Sequence, residues 1–281
     1  MEQQIRFCSS ADGTRIAYAT AGQGPPLVKA PNWMHHLEYD WQSPVWGHLL
    51  RALAADHTLV RFDQRANGLS DWDVPEITID IMVDDLATVV DAAGLKRFPL
   101  LGISQGCSLS IAYAVRNPER ISRLVLYGGY AKGASRSGSE IDRQQREMQV
   151  QMIRQGWGKN NPAFRQFFTS LFMPGATKEQ MDWFNELQRV TISPENAARN
   201  FEFAGNIDVS DLCSRVSVPT LVLHCRDDGI VSFDRGRRMA AMIPDARFVP
   251  LDGQNHLFLK DEPAWPRFME EVSAFLAQDE V

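Results

Sequence analysis

Five consecutive residues, Gly102-Ile103-Ser104-Gln105-Gly106, set a serine between two glycines, each two positions away. A serine hydroxyl is a weak nucleophile until a neighbouring base takes its proton. A turn that lifts such a serine clear of a sheet has no room for side chains two residues before and two after it. Glycine at both positions removes that conflict, which marks Ser104 as a candidate nucleophile. The apolar run Phe98 to Leu101 reads as a strand before the motif, and Cys107 to Arg116 as a helix after it, ending before Pro118. A helix starting there aims its free N–H groups and positive dipole end at a reacting carbonyl.

The base must come from six histidines. His256 ends the loop Asp252-Gly253-Gln254-Asn255-His256, just after the apolar run Arg247 to Leu251. His48 and His57 flank a helix, and His224 ends a buried strand and reads as structural. His35 and His36 sit in an early loop within reach of a pocket, but too early for a serine–acid–histidine order. An imidazole base needs a carboxylate to orient it. The strand Thr220 to His224 runs into Cys225-Arg226-Asp227-Asp228-Gly229. Asp228, followed by glycine, suits a tight loop that turns its carboxylate back toward the histidine; Asp227 is the alternative, otherwise a solvated acid or a partner of Arg226. The 28 residues from 228 to 256 suffice for one helix and one strand, so both loops can share one sheet edge.

The elements around these residues alternate. Ile5 to Ser10 and Thr14 to Thr20 read as a hairpin about Ala11-Asp12-Gly13. Leu27 to Ala30, His57 to Phe62 and Ile121 to Tyr127 read as buried strands, and Val45 to Ala55 as a helix. Ile77 to Ala93 has helical periodicity, with Ile81, Leu86, Val89 and Val90 inward and Asp80, Asp84 and Asp85 outward. Strands alternating with helices predict an α/β fold with a mostly parallel sheet covered on both faces. After Gly128-Gly129 the pattern stops. From about Lys132 to Val209 there is no buried-strand run, only polar and then aromatic-rich helical stretches. The alternation then resumes with Thr220 to His224, the helix Asp234 to Met242, Arg247 to Leu251 and a closing helix Glu262 to Ala277. The reading is a core of residues 1–130 and 210–281 with a helical insertion, a cap or lid, at 131–209.

Composition narrows the classes. The 281 residues are 44% hydrophobic and 23% charged, which suits a globular chain with a full core. With 29 basic and 35 acidic residues the net charge is −6, against a nucleic-acid partner. No apolar stretch reaches membrane-spanning length, so no membrane partner is expected. The segment Met1 to Gly13 has no basic stretch followed by a long apolar run, so no secretory signal is expected. The four cysteines, Cys8, Cys107, Cys213 and Cys225, form no CxxC pair and read as reduced thiols, consistent with a cytoplasmic protein. No metal site is expected. A homodimer through the insertion or an edge strand is compatible with the chain, though no pattern points to one.

With Asn32-Trp33, Asp63-Gln64-Arg65, Gly68-Leu69-Ser70-Asp71 and Gly102 to Gly106, the chain resembles the α/β-hydrolase superfamily, specifically bacterial cap-bearing serine hydrolases and esterases. The core resemblance runs over about residues 5 to 130 and 210 to 281. It implies Ser104, Asp228 and His256 as a catalytic triad, in the family's order. It also implies an oxyanion hole from the backbone N–H groups of Trp33 and Gln105. Where the family usually has His-Gly, this chain has Pro31-Asn32; it has Cys225 where His-Gly is usual after the later strand, and Ala66 where glycine is common. Asp63 to Asp71 is expected to be a turn supporting the site. The implied activity is hydrolysis of a small-to-medium carboxylic ester by water through an acyl-enzyme on Ser104, without cofactor. The same triad could serve a lactonase, a carbon–carbon bond hydrolase or a perhydrolase, and a non-catalytic ligand receptor is the reading from another class. Trp33, Met34, His35, His36, Tyr39 and Trp41 are expected on one side of the pocket and the cap aromatics Trp157, Phe168, Phe172 and Trp183 on the other, with Met34, His36, Trp157, Phe168 and Trp183 the leading candidates.

Overall fold

The computed structural model describes residues 1–137, 140–157, 159 and 162–278. Residues 138, 139, 158, 160 and 161 of the expected insertion, and 279–281 of the expected core, lie outside the described residues. Eight strands form one sheet: β1 (Gln3–Ser9), β2 (Arg15–Ala21), β3 (Pro26–Lys29), β4 (Thr58–Phe62), β5 (Phe98–Ile103), β6 (Ile121–Tyr127), β7 (Thr220–Cys225) and β8 (Arg247–Leu251). Their spatial order is β1-β2-β4-β3-β5-β6-β7-β8. Only β2 runs against the others; the remaining pairings from β4 to β8 are parallel.

The sheet is buried on both sides because its strands are apolar at successive positions. Leu27, Leu59, Leu101, Val125 and Leu221 pack into one layer, and Val28, Val60, Leu100, Leu124 and Val222 into the other. The first layer takes in α2 (Gly47–Asp56) and α12 (Ala264–Leu276). The second takes in α3 (Ile79–Ala92), α4 (Gln105–Arg116) and α11 (Phe233–Met242). From β3 the chain goes outward to β4 and then returns to β5 on the other side. Their two outgoing loops therefore diverge at a switch point, where open α/β sheets keep their crevice.

Between β6 and β7 the chain forms α5 (Ala134–Ser137), α6 (Glu140–Gly156), α7 (Pro162–Phe172), α8 (Lys178–Thr191), α9 (Pro194–Asn206) and α10 (Ser210–Cys213). Local signals start several of them: Thr177 and Gln180 make a capping box on α8, and Ser193 caps α9 with Pro194 behind it. Among the described residues the insertion holds no strand, only the bridge between Lys132 and Asp208.

Two expectations are corrected. Asp85 does not face water: it is buried, its carboxylate held by Arg65 through two bonds of 2.7 Å and by Ser10 Oγ at 2.6 Å. Met82 and Val83 are buried while Ile81 is half-buried, so the inward face of α3 is rotated from the expected one. A short helix, α1 (Leu37–Trp41), follows the loop of His35 and His36 and precedes α2.

Candidate active site

Ser104 stands between β5 and α4 with φ 55° and ψ −124°, a strained conformation for a residue with a side chain. The glycines make this turn possible. A Cβ on Gly102 would lie 2.6 Å from Gly106 O and 2.7 Å from Ser110 Oγ; one on Gly106 would lie 2.7 Å from Pro31 O. The Ser104 N–H donates to Tyr127 O at 2.9 Å, tying the elbow to β6.

The histidine loop after β8 brings His256 Nε2 to 2.8 Å from Ser104 Oγ. Its Nδ1 is 2.7 Å from Asp228 Oδ2 in the loop after β7. Asp228 Oδ1 accepts the N–H groups of Ile230 at 2.8 Å and Val231 at 3.0 Å. Burial works to raise the Asp228 carboxyl, but the His256 imidazole, the bond to it, His224 and the Val231 N–H outweigh burial and lower it. Asp228 is therefore an acceptor toward His256 Nδ1–H, and Nε2 is left to accept the serine O–H. Such a chain can draw a proton off the hydroxyl. Asp227, the alternative acid, is exposed, and its N–H is used on Gly253 O at 3.1 Å.

The insertion holds the histidine loop in place. His256 N–H donates to Phe172 O at 2.8 Å, and the ring packs edge-on against Phe172 at 5.4 Å. Asn255 accepts Gly175 N–H at 2.9 Å and donates to Glu262 Oε2 at 2.6 Å. The other histidines serve elsewhere. His224 Nε2 donates to Val231 O at 2.8 Å and lies 3.6 Å from Asp228 Oδ2, with burial lowering its basicity. His35 Nδ1 pairs with Asp63 at 3.0 Å, and His57 Nδ1 with Leu53 O at 3.2 Å.

Gln105 is the first residue of α4, where a backbone N–H has no intrahelical acceptor. The Trp33 N–H makes no hydrogen bond among the described residues. In place of His-Gly, Asn32 is anchored by Lys29 Nζ at 2.7 Å and itself donates to Trp33 O at 3.2 Å. Burial pulls the Lys29 ammonium down. A row of three amides, whose contacts motif reading does not show, extends from the elbow: Gln105 Nε2 meets Gln64 Oε1 at 3.5 Å, and Gln64 donates to Asn200 Oδ1 at 2.7 Å.

A small cavity of about 60 Å³ opens at Ser104, walled by Trp33, Gln105, Tyr130, Phe172, Phe201 and Arg146 among others. Of the expected pocket residues Trp33 and Phe172 line it, while Met34, His35, His36, Tyr39, Trp41, Trp157, Phe168 and Trp183 do not. Trp157 and Phe168 pack behind the Trp33 indole at 5.6 and 6.2 Å, so they support the wall instead of forming it. Trp183 stacks on Tyr39 at 4.9 Å, His36 caps α1 by accepting Tyr39 N–H, and Met34 is buried at φ 56°. Aromatic spacing revealed that these helices pack, but not which face meets the cavity. Among the described residues no three His, Cys, Asp or Glu side chains cluster to hold a metal ion, and no helix is long and apolar enough to cross a membrane.

A serine elbow on a mostly parallel sheet, faced by an acid loop and a histidine loop at the same edge, defines a class of hydrolase. Residues 34–263 match the alpha/beta hydrolase fold family, and the chain belongs to it. It is 27% identical over 272 residues to pyrrolizixenacetamide deacetylase of Xenorhabdus hominickii, covering 95% of this chain and 96% of that one. It is 25% identical over 260 residues to 2-hydroxy-6-oxononadienedioate/2-hydroxy-6-oxononatrienedioate hydrolase 2 of Pseudomonas putida, covering 88% and 82%. Among solved structures it is similar in fold to an esterase from Exiguobacterium antarcticum, with a TM-score of 0.82, 20% identity and coverage of 98% and 100%.

Proposed function

We propose that this chain is a serine hydrolase that cleaves a small-to-medium carboxylic ester, with Ser104 as nucleophile, His256 as base and Asp228 as its orienting acid. The observation that carries the reading is the unbroken contact chain Oγ–Nε2 at 2.8 Å and Nδ1–Oδ2 at 2.7 Å, with the serine at the head of α4. Ser104 Oγ attacks the ester carbonyl as His256 Nε2 takes its proton, and Asp228 stabilises the imidazolium. The N–H groups of Trp33 and Gln105 receive the oxyanion, each worth about 3 kcal/mol of barrier. The carbon–oxygen bond to the alcohol breaks, and His256 returns the proton to the leaving oxygen. Water, deprotonated by His256, then releases the acid and frees Ser104. The helices within 131–209 act as a cap over the core of 1–130 and 210–281, and the unpaired cysteines suit a reducing, cytoplasmic setting.

A fluorophosphonate probe should label Ser104 in the native chain and release of 4-nitrophenol from an acetate or butyrate ester should show a burst. Ser104→Ala should lose both while keeping its urea midpoint. Unchanged turnover in that variant would reject the assignment. The Pseudomonas putida relative's name supports a second reading on the same serine, carbon–carbon bond hydrolysis. Faster turnover of a vinylogous diketone than of any ester in a panel would favour it.

A further inference from the structure

We infer that the substrate carries a carboxylate and that Arg146, from α6, receives it within the cavity of Ser104. This rests on the serine-hydrolase reading and names the substrate class for that site.

Arg146 lies in the wall of the small cavity at Ser104 and also in that of an adjoining cavity of about 780 Å³. The two cavities share Tyr130, Ala134, Arg146, Ile230 and Arg235. The guanidinium is fixed in place. Its carbon lies 3.3 Å from the centre of the Phe201 ring, and Nη2 donates to Phe201 O at 2.7 Å. Phe201 in turn packs against Trp33 at 5.2 Å, so the cation stands one ring away from the expected oxyanion loop. Nε is enclosed without an acceptor, and Nη1 makes no hydrogen bond among the described residues.

No carboxylate of the described chain pairs with Arg146, although acids are close by. Asp228 is engaged by His256 and two backbone N–H groups, and Asp234 by Arg237 and Arg238. Lys132, on the same large cavity, is paired with Asp208 at 3.3 Å. Arg235 lies in both walls, with its guanidinium carbon 4.8 Å from the Tyr130 ring, and adds positive charge there. Enclosure pulls Arg146 down to about 10, with Tyr130 opposing and Arg235 adding to the effect, so the group is still charged at neutral pH. A half-buried cation that no carboxylate of the described residues compensates keeps its charge for an anionic ligand. A guanidinium held by a ring stack and one carbonyl bond, with Nε closed off, keeps the N–H groups of Nη1 and the second of Nη2 for a planar oxyanion, the geometry a carboxylate matches.

The test compares esters that differ in charge. The first pair places the carboxylate on the acyl side, 4-nitrophenyl hemiglutarate against 4-nitrophenyl valerate. The second places it on the alcohol side, 4-carboxyphenyl acetate against phenyl acetate. One pair should show a kcat/KM preference for the anion of at least ten-fold, which identifies the side. In Arg146→Gln that ratio should fall at least ten-fold, and Arg146→Lys should recover part of it. Glutarate binding by calorimetry, read without turnover, should weaken in parallel in Arg146→Gln. Thermal melts check that both variants fold. Absence of any charge preference in a chain that labels normally with fluorophosphonate overturns the inference and spares the serine reading. Equal loss on charged and neutral esters also overturns it. If labelling fails, the serine reading falls, and glutarate binding that depends on Arg146 still decides whether the anion site exists.

Discussion

Two buried polar arrays in this molecule use similar groups and end differently. In one, Arg65 sits between Asp85 and Asp12, with three bonds of 2.7 Å, and Ser10 completes Asp85. Every N–H-bearing nitrogen of that guanidinium is used, and the array locks the first hairpin, the turn after β4 and α3 together. In the other, Asp228, His256 and Ser104 form a line whose last oxygen faces a cavity. The closed array bonds each guanidinium nitrogen to a carboxylate and buries the cation, so it holds the fold. The open line keeps one unsatisfied partner, which is what reactivity requires. The turn after β4 belongs to the first type. Asp63 there accepts the N–H groups of Leu37 at 3.2 Å and Leu69 at 2.8 Å, and a Cβ on Gly68 would lie 2.2 Å from its carboxylate.

The contrast can be broken from either side. The largest effect should come from Asp228→Asn, which removes the acceptor that fixes the imidazole tautomer. Its kcat/KM on a 4-nitrophenyl ester should fall by about 10³–10⁴-fold. Retained rate would show that the open line does not act as one unit. Arg65→Met should leave fluorophosphonate labelling of the folded fraction intact but cost about 3–5 kcal/mol of stability, because Asp85 becomes an uncompensated buried charge. Urea midpoints measure this, and adding Asp85→Leu should regain most of the loss. If the single variant is as stable as the native chain, the closed array is not a stabilising lock.

The smallest effect concerns a half-buried polar group in neither array. Both ring nitrogens of His48 are enclosed without a partner, and the ring packs on Trp265 at 4.5 Å. Burial first, then Arg51 and Lys260, pulls it from 6.5 down to about 4. The unfolded chain takes up this proton near pH 6.5, and the folded chain not until about pH 4. Stability is therefore complete above the first value and is lost as the pH falls toward the second. His48→Phe should reduce the loss of stability between pH 7 and pH 5 by about 1 kcal/mol, allowing for its partial exposure. An unaltered difference between the two pH values would remove His48 from the acid response.

What was legible in the sequence follows the same division. Ile121 to Tyr127 and Arg247 to Leu251 coincide with β6 and β8, since short apolar runs carry their own boundaries. The elbow was readable because its steric demand is local: two glycines, a strand before and a helix after. Asp85 was misplaced because its partner is 20 residues away, and helical periodicity counts any aspartate as outward. The five residues of α1 are too few to show a period. The cavity wall was least legible. Trp157 and Phe168 advertise packing but sit behind Trp33, whereas Arg146 falls in a polar stretch that resembles an ordinary solvated face.

The bond from His256 N–H to Phe172 O has a consequence for how such chains can be recombined. Grafting foreign helices between β6 and β7, or trimming these away, would unfasten the His256 loop even if every strand were left untouched. Any replacement for α7 must bring a carbonyl to that one point.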